Sequence, residues 1–570
     1  MKVSDYIVEF IIKKNITDVF GYPGGMVTHL MDSLFKRNNE ISTHILLHED
    51  AVSFAVCGYA QCSGKVGVAF ATSGPGATNL ITGIANAFYD SIPCIFITGN
   101  VNTFEKRNNT ALRQRGFQET DIVSMVQSIC KKAYYVDDAN SIIDVLNEAF
   151  VISMEDRKGP VLIDIPMNIF RSDIEICDPK TIIQNEKSYD KELFEKDLSE
   201  ALKNSKRPTL ILGNGIKISK QVSLIRGILR SCPMPVVSSM IACDIIPEGQ
   251  GLEGMYYGFI GAYGNRTANF VVAKSDLVIC LGTRLSIRQV GGKRENFAPN
   301  ARIIRVDIDQ YELANKIRDD DNNYRISLND ALPIVRKVFK NVNHYDDWLN
   351  VCKEIKKQVK YIDEKEPNRY INAISKRTPD EYTIVADVGQ HMVWTAQSFQ
   401  FKPNQVALFS GGLGAMGYAL PASIGACVST KKPVMCFVGD GGMQMTIEEL
   451  QYIKSNRIPI KIFILNNNAL GMIRHFQEMY FNSNYAYTVL ENGYTTPDFC
   501  KVAEAYGIKS NRIHDLNEIK NLDFDSSEPE LFEIVLKGNT YVTPKLEYGK
   551  PNQDQEPLLD RELYNYLMNL

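Results

Sequence analysis

The chain has 570 residues, 44% of them apolar and 23% charged, with a formal net charge of -4. That length exceeds what one hydrophobic core supports and suggests about three units of ordinary size. The slightly acidic balance leaves no basic footprint for nucleic acid, so the expected ligand is small.

The first residues, "MKVSDYIVEFIIKKNITDVFGYPGG", are apolar but interrupted by Asp5, Glu9, Lys13 and Lys14, which predicts an amphipathic helix rather than a signal peptide. No apolar run reaches the roughly 18 residues of a membrane span, and the expectation is a cytoplasmic protein. Twelve cysteines lack any C-x-x-C pair, and Cys94, Cys280 and Cys436 fall inside apolar runs. They read as reduced core residues.

In chain order, short β-branched runs bounded by glycine alternate with helical patterns: "VGVAFATSGPG", "IPCIFITGN", "GPVLIDIP", "PTLILGNG", "DLVICLGTR", "ARIIRVDID", "YTIVADVGQ", "KPVMCFVGDGG" and "IPIKIFILNNN". Strands of this kind between helices imply parallel sheets covered on both faces. The expected fold is α/β, three doubly wound parallel-sheet domains. Polar stretches at 171–192 and 341–370 divide them, giving units at 1–172, 190–342 and 365–543, with an arm over 544–570 that closes in a short helix.

In open parallel sheets, ligands bind beyond the carboxyl ends of the strands. "VMCFVGDGG" puts Asp440 at such an end between Gly439, Gly441 and Gly442, and "IFILNNN" puts Asn466, Asn467 and Asn468 at another. Carboxylate and amide oxygens are hard donors, a partial set for Mg²⁺ bound to a diphosphate. Either half alone is weak, since Gly-Asp-Gly is also a good turn. The pair, with 24 residues between Gly441 and Asn466, resembles the thiamine diphosphate signature. That resemblance implies that Asp440, the Asn467 side chain and the Ala469 carbonyl hold Mg²⁺. It also makes "DVGQH" the other diphosphate loop, with Gly389, Gln390 and His391.

Thiamine chemistry needs a desolvated carboxyl group to protonate the aminopyrimidine. "ILLHEDAVSF" offers Glu49, and "TSGPGATN" is a glycine turn that would start a helix under the ring. This segment, with "FGYPGG" (20–25), "GFQET" (116–120), "SGGLGAMGYALPASIGA" (410–426) and "LNNNALGMIRHFQ" (465–477), closely resembles the acetolactate synthase (acetohydroxyacid synthase) family over almost the whole chain. The resemblance implies pyrimidine-binding, central and diphosphate-binding domains, and a homodimer or homotetramer whose active sites lie between subunits. By it, Glu49 activates the pyrimidine, lined by Pro23, Pro75 and Asn79. Gly414 and Met416 bend the cofactor, Met472 lies beside it, and Phe117 and Gln118 face the reacting centre. Glyoxylate carboligases lack this glutamate, and the paired-histidine motif of simple pyruvate decarboxylases is absent.

Many members of that family hold FAD in the central domain. The matching segments here nominate Gly213, Gly215, Gly282, Arg284, Arg288 and Asp307, with Arg157 before "KGPVLIDIP". Departures from the family pattern are Ser286 for an aspartate and Tyr263 for a histidine. Arg288 remains to take the carboxylate of a second keto acid, a task suited to a planar guanidinium.

Phe476 stands for a tryptophan, Met167 for a lysine, and segment 102–115 is long. The tail "LEYGKPNQDQEPLL" looks more like thiamine enzymes of surface-polysaccharide pathways. The resulting reading is a carboligase that decarboxylates pyruvate and ligates the acetyl unit to a second carbonyl. The alternative acceptor is a keto-sugar nucleotide. Further behind are a pyruvate decarboxylase or oxidase and an inactive binding paralogue.

Overall fold

The computed structural model describes residues 1–109, 111–182, 189–342, 344–359 and 363–570. Residues 183–188 and 360–362, inside the two expected linkers, lie outside that description. Three six-stranded, wholly parallel sheets follow one another along the chain. With strands numbered in chain order within each sheet, the first runs 2-1-3-4-6-5. Its strands in spatial order are Ser42–Ile45, Asp18–Gly21, Gly67–Ala71, Cys94–Asn100, Val161–Pro166 and Lys132–Tyr135.

The third sheet has the same order: Val406–Phe409, Thr383–Ala386, Val434–Gly439, Ile460–Asn466, Glu530–Val535 and Lys509–Ile513. The central sheet runs 6-5-4-1-2-3, from Asn322–Arg325 through Arg302–Asp307, Leu277–Leu281, Pro208–Leu212 and Val236–Ser238 to Tyr256–Phe259. In both arrangements the order reverses beside the first strand. A crevice therefore opens there at the carboxyl ends, between the loops after strands 1 and 3 in the outer sheets and after strands 1 and 4 in the central one.

The nine apolar runs read from the sequence are all strands, and each is buried on both faces or nearly so. Helix Glu49–Ser63 of the first unit crosses helix Ala419–Thr430 of the third at very close range. A Cβ on Gly58 would sit 2.1 Å from the Ala422 carbonyl oxygen, and one on Gly425 would sit 1.8 Å from that of Ala55. Glycine is required at both crossings. One apolar core, from Phe20 and Val56 to Tyr418 and Ile464, consequently runs through both units.

The central unit extends beyond residue 342. The polar stretch 341–370 contains an amphipathic helix, Asp346–Val359, burying Trp348, Leu349, Cys352, Ile355 and Val359, and the Trp348 indole N–H donates to the Pro208 carbonyl at 3.1 Å. Its apolar positions are spaced at helical period among six charged residues, so an average over composition hid them. The arm packs on the central unit: Leu546 N–H donates to Ala262 O at 2.8 Å, Gln555 Nε2 to Gly264 O at 3.1 Å, and helix Arg561–Asn569 closes the chain. Among the described residues no helix is long and apolar enough to cross a membrane.

Candidate active site

In the third sheet the loops after Thr383–Ala386 and Val434–Gly439 meet at the reversal of strand order. Asp387 directly follows the first of these strands, fully buried, and its carboxylate accepts from the N–H groups of Gly417 (3.0 Å) and Ala419 (3.1 Å). Burial pushes its pKa up to about 6. His391 is buried beside it, with one ring nitrogen bonded to the Asp387 backbone, and burial lowers the imidazole to about 3.

His391 Nε2 finds no partner among the described residues. The glycines make room for this packing. A Cβ on Gly442 would lie 1.9 Å from Asp387 Oδ2, and Cβ atoms on Gly389 and Gly439 would lie 2.6 and 2.9 Å from the His391 ring.

Asp440, only 3% exposed, opens the loop after the third strand. The Ala469 N–H donates to Asp440 Oδ2 and to Asn467 Oδ1, at 3.2 Å in each case, so a carboxylate oxygen and an amide oxygen converge on one backbone group. Which end of the Asn467 amide faces Asp440 is fixed from behind: its Nδ2 donates to Gln390 Oε1 (3.1 Å) and Thr540 Oγ1 (2.8 Å). Gln390 in turn donates to the carbonyls of Thr540 (2.9 Å) and Gly471 (3.2 Å). Its amide is occupied by protein groups, and it reaches the site through Asn467.

The neighbouring asparagines do other work. Asn466 donates to Glu533 at 2.7 Å, and Asn468 turns into the left-handed region (φ 51°) and accepts from Thr496. Burial raises Asp440 to about 6, a cost that a bound cation would remove. Buried hard oxygens, an unpartnered ring nitrogen and backbone kept bare by glycine fit a divalent cation carrying a diphosphate.

The loop 410–416 borders this cluster. Met416 reaches across so that its terminal methyl would be 3.3 Å from a Cβ on Gly441, and Gly414 adopts φ 77°. Ser410 Oγ accepts from the N–H groups of Gly414 and Ala415, at 3.1 Å each, and donates to Asn86 at 2.6 Å. Asp90 accepts from Gly411 (3.1 Å) and Gly412 (2.7 Å). The first unit of the same chain thus braces a loop of the third.

In the first sheet the equivalent loops approach as closely: a Cβ on Gly24 would lie 2.3 Å from Thr72. Pro23 is exposed in one loop, and Pro75 begins the short helix Pro75–Asn79 in the other. Glu49 is the first residue of its helix, 9% exposed, and accepts from Asn79 Nδ2 at 3.0 Å. Gly76 is needed beneath it, since a Cβ there would lie 3.0 Å from Glu49 Oε1. Gln118 has φ 63° and packs on Gly74, and Phe117 is 80% exposed.

A cleft of about 780 Å³ opens at the reversal point of the central sheet, in the size range of a cofactor site. It brings together Arg157, Gly215, Gly282, Arg284, Arg288, Asp307, Gly389 and Met472, together with Asp90, Tyr263 and Ser286. Gly213 stands just behind, where a Cβ would lie 1.9 Å from Gly282 O. Arg157 is tied to Asp309 (2.9 Å), Glu312 (2.8 Å) and Ser91 Oγ (2.9 Å), and burial raises Asp307.

The cleft spans all three units but includes none of Glu49, Phe117 or Gln118. Asp90, Asp387 and Thr540 are contributors that the sequence reading passed over. For the two aspartates the signal was present, an acid beside the end of an apolar run. Thr540 follows a glycine turn and carried none.

The chain matches three successive protein-family models. These describe the thiamine pyrophosphate enzyme N-terminal TPP binding domain (residues 1–125), central domain (196–324) and C-terminal TPP binding domain (387–523). It is 34% identical over 562 residues to the acetolactate synthase large subunit of Lactococcus lactis subsp. lactis (strain IL1403), covering 96% of this chain and 94% of that protein. The acetolactate synthase isozyme 2 large subunit of Escherichia coli (strain K12) is 32% identical over 565 residues, covering 97% and 99%. The acetolactate synthase large subunit of Cyanidium caldarium is 33% identical over 569 residues, covering 96% and 95%.

Proposed function

The chain belongs to the acetolactate synthase family of thiamine diphosphate-dependent enzymes, and we propose that it is a carboligase that decarboxylates pyruvate and joins the acetyl unit to a second carbonyl, forming acetolactate. Units 1–172, 190–342 together with the packed helix Asp346–Val359, and 365–543 would serve as pyrimidine-binding, central and diphosphate-binding domains, with 544–570 as an arm. The observation that carries the reading is the convergence of Asp440 and Asn467 oxygens on the Ala469 amide at the reversal point of the third sheet. Asp440, Asn467 and the Ala469 carbonyl would hold Mg²⁺, and His391 with the glycine-bared backbone would hold the diphosphate. An imidazole whose Nε2 is an acceptor must gain a proton to donate to an anion, so diphosphate binding would draw one onto His391.

When bound, thiamine diphosphate supplies a carbon nucleophile and an electron sink. The protein's own work is positional and acid-base. Glu49 would exchange a proton with the pyrimidine, with Pro23, Pro75 and Asn79 lining it. Gly414 and Met416 would shape the cofactor, and Phe117 and Gln118 would border the reacting carbon. The wide exposure of Phe117 and its separation from the cleft support a homodimer or homotetramer, in which a second copy completes each site.

The central cleft would take FAD, with Gly213, Gly215 and Gly282 admitting the dinucleotide backbone and Arg157, Arg284 and Asp307 lining it. Arg288, on the cleft wall, would receive the carboxylate of the acceptor. Twelve unpaired cysteines suit a cytoplasmic location.

One observation favours a second acceptor. Arg113 and Arg115 are exposed beside Phe117 with no ion-pair partner among the described residues, a surplus of charge that suits the diphosphate of a keto-sugar nucleotide more than a single carboxylate. The test is incubation with pyruvate, thiamine diphosphate and Mg²⁺, with flavin absorbance recorded and acetolactate assayed as acid-derived acetoin. Robust acetolactate is the expected result. Slow CO₂ release without acetolactate would reject the keto acid as acceptor and move the assignment to the nucleotide sugar.

A further inference from the structure

In the first unit the residues around Phe117 and Gln118 are gathered by one buried carboxylate, Glu119. The Glu119 side chain is 6% exposed. Its Oε1 accepts from Arg107 N–H at 2.8 Å, and its Oε2 accepts from Arg115 N–H at 2.9 Å and Gly116 N–H at 3.2 Å. Arg107 extends the tie, donating from Nη1 to the carbonyls of Leu112 (2.8 Å) and Arg113 (3.2 Å). Gln114 Nε2 donates to the Glu119 carbonyl at 3.2 Å.

At the far end the sheet holds the turn. Asp164, buried in the strand Val161–Pro166, accepts from Thr98 Oγ1 (2.7 Å) and Asn100 Nδ2 (2.6 Å), and Asn100 Nδ2 also donates to the Thr120 carbonyl at 3.0 Å. Between these ties Gln118 adopts φ 63°, a conformation that a non-glycine residue keeps only where its surroundings impose it. Gly74 closes the other side, since a Cβ there would lie 3.0 Å from the Gln118 Cβ.

We propose that Glu119 is a positioning residue whose carboxylate holds Phe117 and Gln118 in the geometry that directs the acetyl unit to the acceptor carbonyl rather than to solvent. The inference rests on the reading that Phe117 and Gln118 border the reacting carbon. A carboxylate is specified because two oxygens must receive three backbone N–H groups. An amide offers one acceptor oxygen and turns N–H toward N–H, and aspartate, one methylene shorter, does not span Arg107 and Arg115 together.

The test compares Glu119→Gln, Glu119→Asp, Gln118→Ala and the double variant Gln118→Ala/Glu119→Gln in the full-length holoenzyme. Four quantities are read: kcat and KM for pyruvate, the ratio of ligated product to released acetaldehyde, thiamine diphosphate affinity, and tryptic cleavage at Arg107, Arg113 and Arg115. For Glu119→Gln the expected result is kcat lowered about tenfold or more, as for a loosened support of catalytic groups. Its product ratio shifts toward acetaldehyde, cofactor affinity changes less than twofold, and tryptic nicking quickens. Glu119→Asp falls between and stands in if the glutamine variant precipitates.

The double variant should match Gln118→Ala alone, as expected for residues acting through one another. If Gln118→Ala alters the product ratio and neither Glu119 variant does, the positioning role is overturned. If Glu119→Gln loses cofactor and fold together while Glu119→Asp behaves as wild type, Glu119 is merely structural, which also overturns it. If Gln118→Ala itself leaves the ratio unchanged, the failure belongs to the reading of the segment.

Discussion

The first and third sheets share one strand order, 2-1-3-4-6-5, yet the loops at their reversal points differ in kind. In the third, the oxygen-bearing groups at the crevice are braced by the chain itself: Asn467 by Gln390 and Thr540, Asp440 by Gly441 and Ala469, and Ser410 by Asn86. In the first, Glu49 has one side-chain donor among the described residues, Asn79, and Phe117 stands 80% exposed. Topology supplies a crevice to both, and side-chain chemistry decides its use. On the proposed reading, the braced half would hold an ion and a diphosphate with groups the chain already orients, and the open half would supply an acid whose setting a second copy would complete.

The sharpest way to break this contrast is to disable each half separately. Glu49→Gln should lower kcat by about 10² to 10⁴, the range for loss of a positioned acid-base group, with thiamine diphosphate and Mg²⁺ still bound at near wild-type affinity. Raising the cofactor concentration should not restore the rate. Asp440→Ala should behave in the opposite sense, losing cofactor affinity first and regaining part of the rate at high Mg²⁺ and thiamine diphosphate. Rate measured against cofactor concentration separates the two. If Glu49→Gln were rescued by cofactor, the division between halves would be wrong.

A smaller effect is expected one contact further out. Gln390→Leu removes the acceptor that fixes the Asn467 amide while leaving both oxygens at Asp440 and Asn467 in the chain. Loss of a group that orients a metal ligand typically costs 10- to 100-fold in affinity. The expected result is a weakening of Mg²⁺ toward the lower end of that range, since Thr540 still receives the same amide. Titration of the apoenzyme with Mg²⁺ at fixed thiamine diphosphate measures it, and an unchanged affinity would show that Gln390 braces nothing.

The two halves were unequally legible in the sequence for the same physical reason that separates them. Continuous apolar runs mark strands covered on both faces, and the nine so marked include those that carry Asp440, Asn467, Asp387 and Gly282. Edge strands such as Ser42–Ile45 and Lys509–Ile513 are largely exposed or half-buried and polar, so composition does not distinguish them from loops. Asp440 and Asn467 were visible because glycine and asparagine stand at the ends of apolar strands at a telling spacing. Glu49 took its meaning from the segments around it, since a carboxylate at a helix start is ordinarily a cap. Asp90 stood beside an apolar run, but its partners lie more than 300 residues away, and Thr540 acts on Asn467 across more than 70 residues with no local signal at all.

The least effect is expected at the seam between the two halves, and it reads out as stability against pH. Glu449 of the third unit is fully buried and accepts from the Leu47 N–H at 2.8 Å, two residues before Glu49, with its other oxygen unpartnered among the described residues. Burial raises its pKa from 4.5 to about 7. Between those values the folded chain keeps a proton that the unfolded chain has lost. Stability therefore falls as pH rises from about 4.5 to about 7 and levels off above, because the unfolded state binds fewer protons there. Glu449→Gln removes the titration but keeps an oxygen for Leu47. Its melting temperature should vary less than the wild type's across that interval, the two curves separating most above pH 7 in the variant's favour. Parallel curves would place the seam outside the acid-sensitive part of the fold. Convergence only at high pH would mean that Glu449 is held ionised, by a partner reaching its second oxygen.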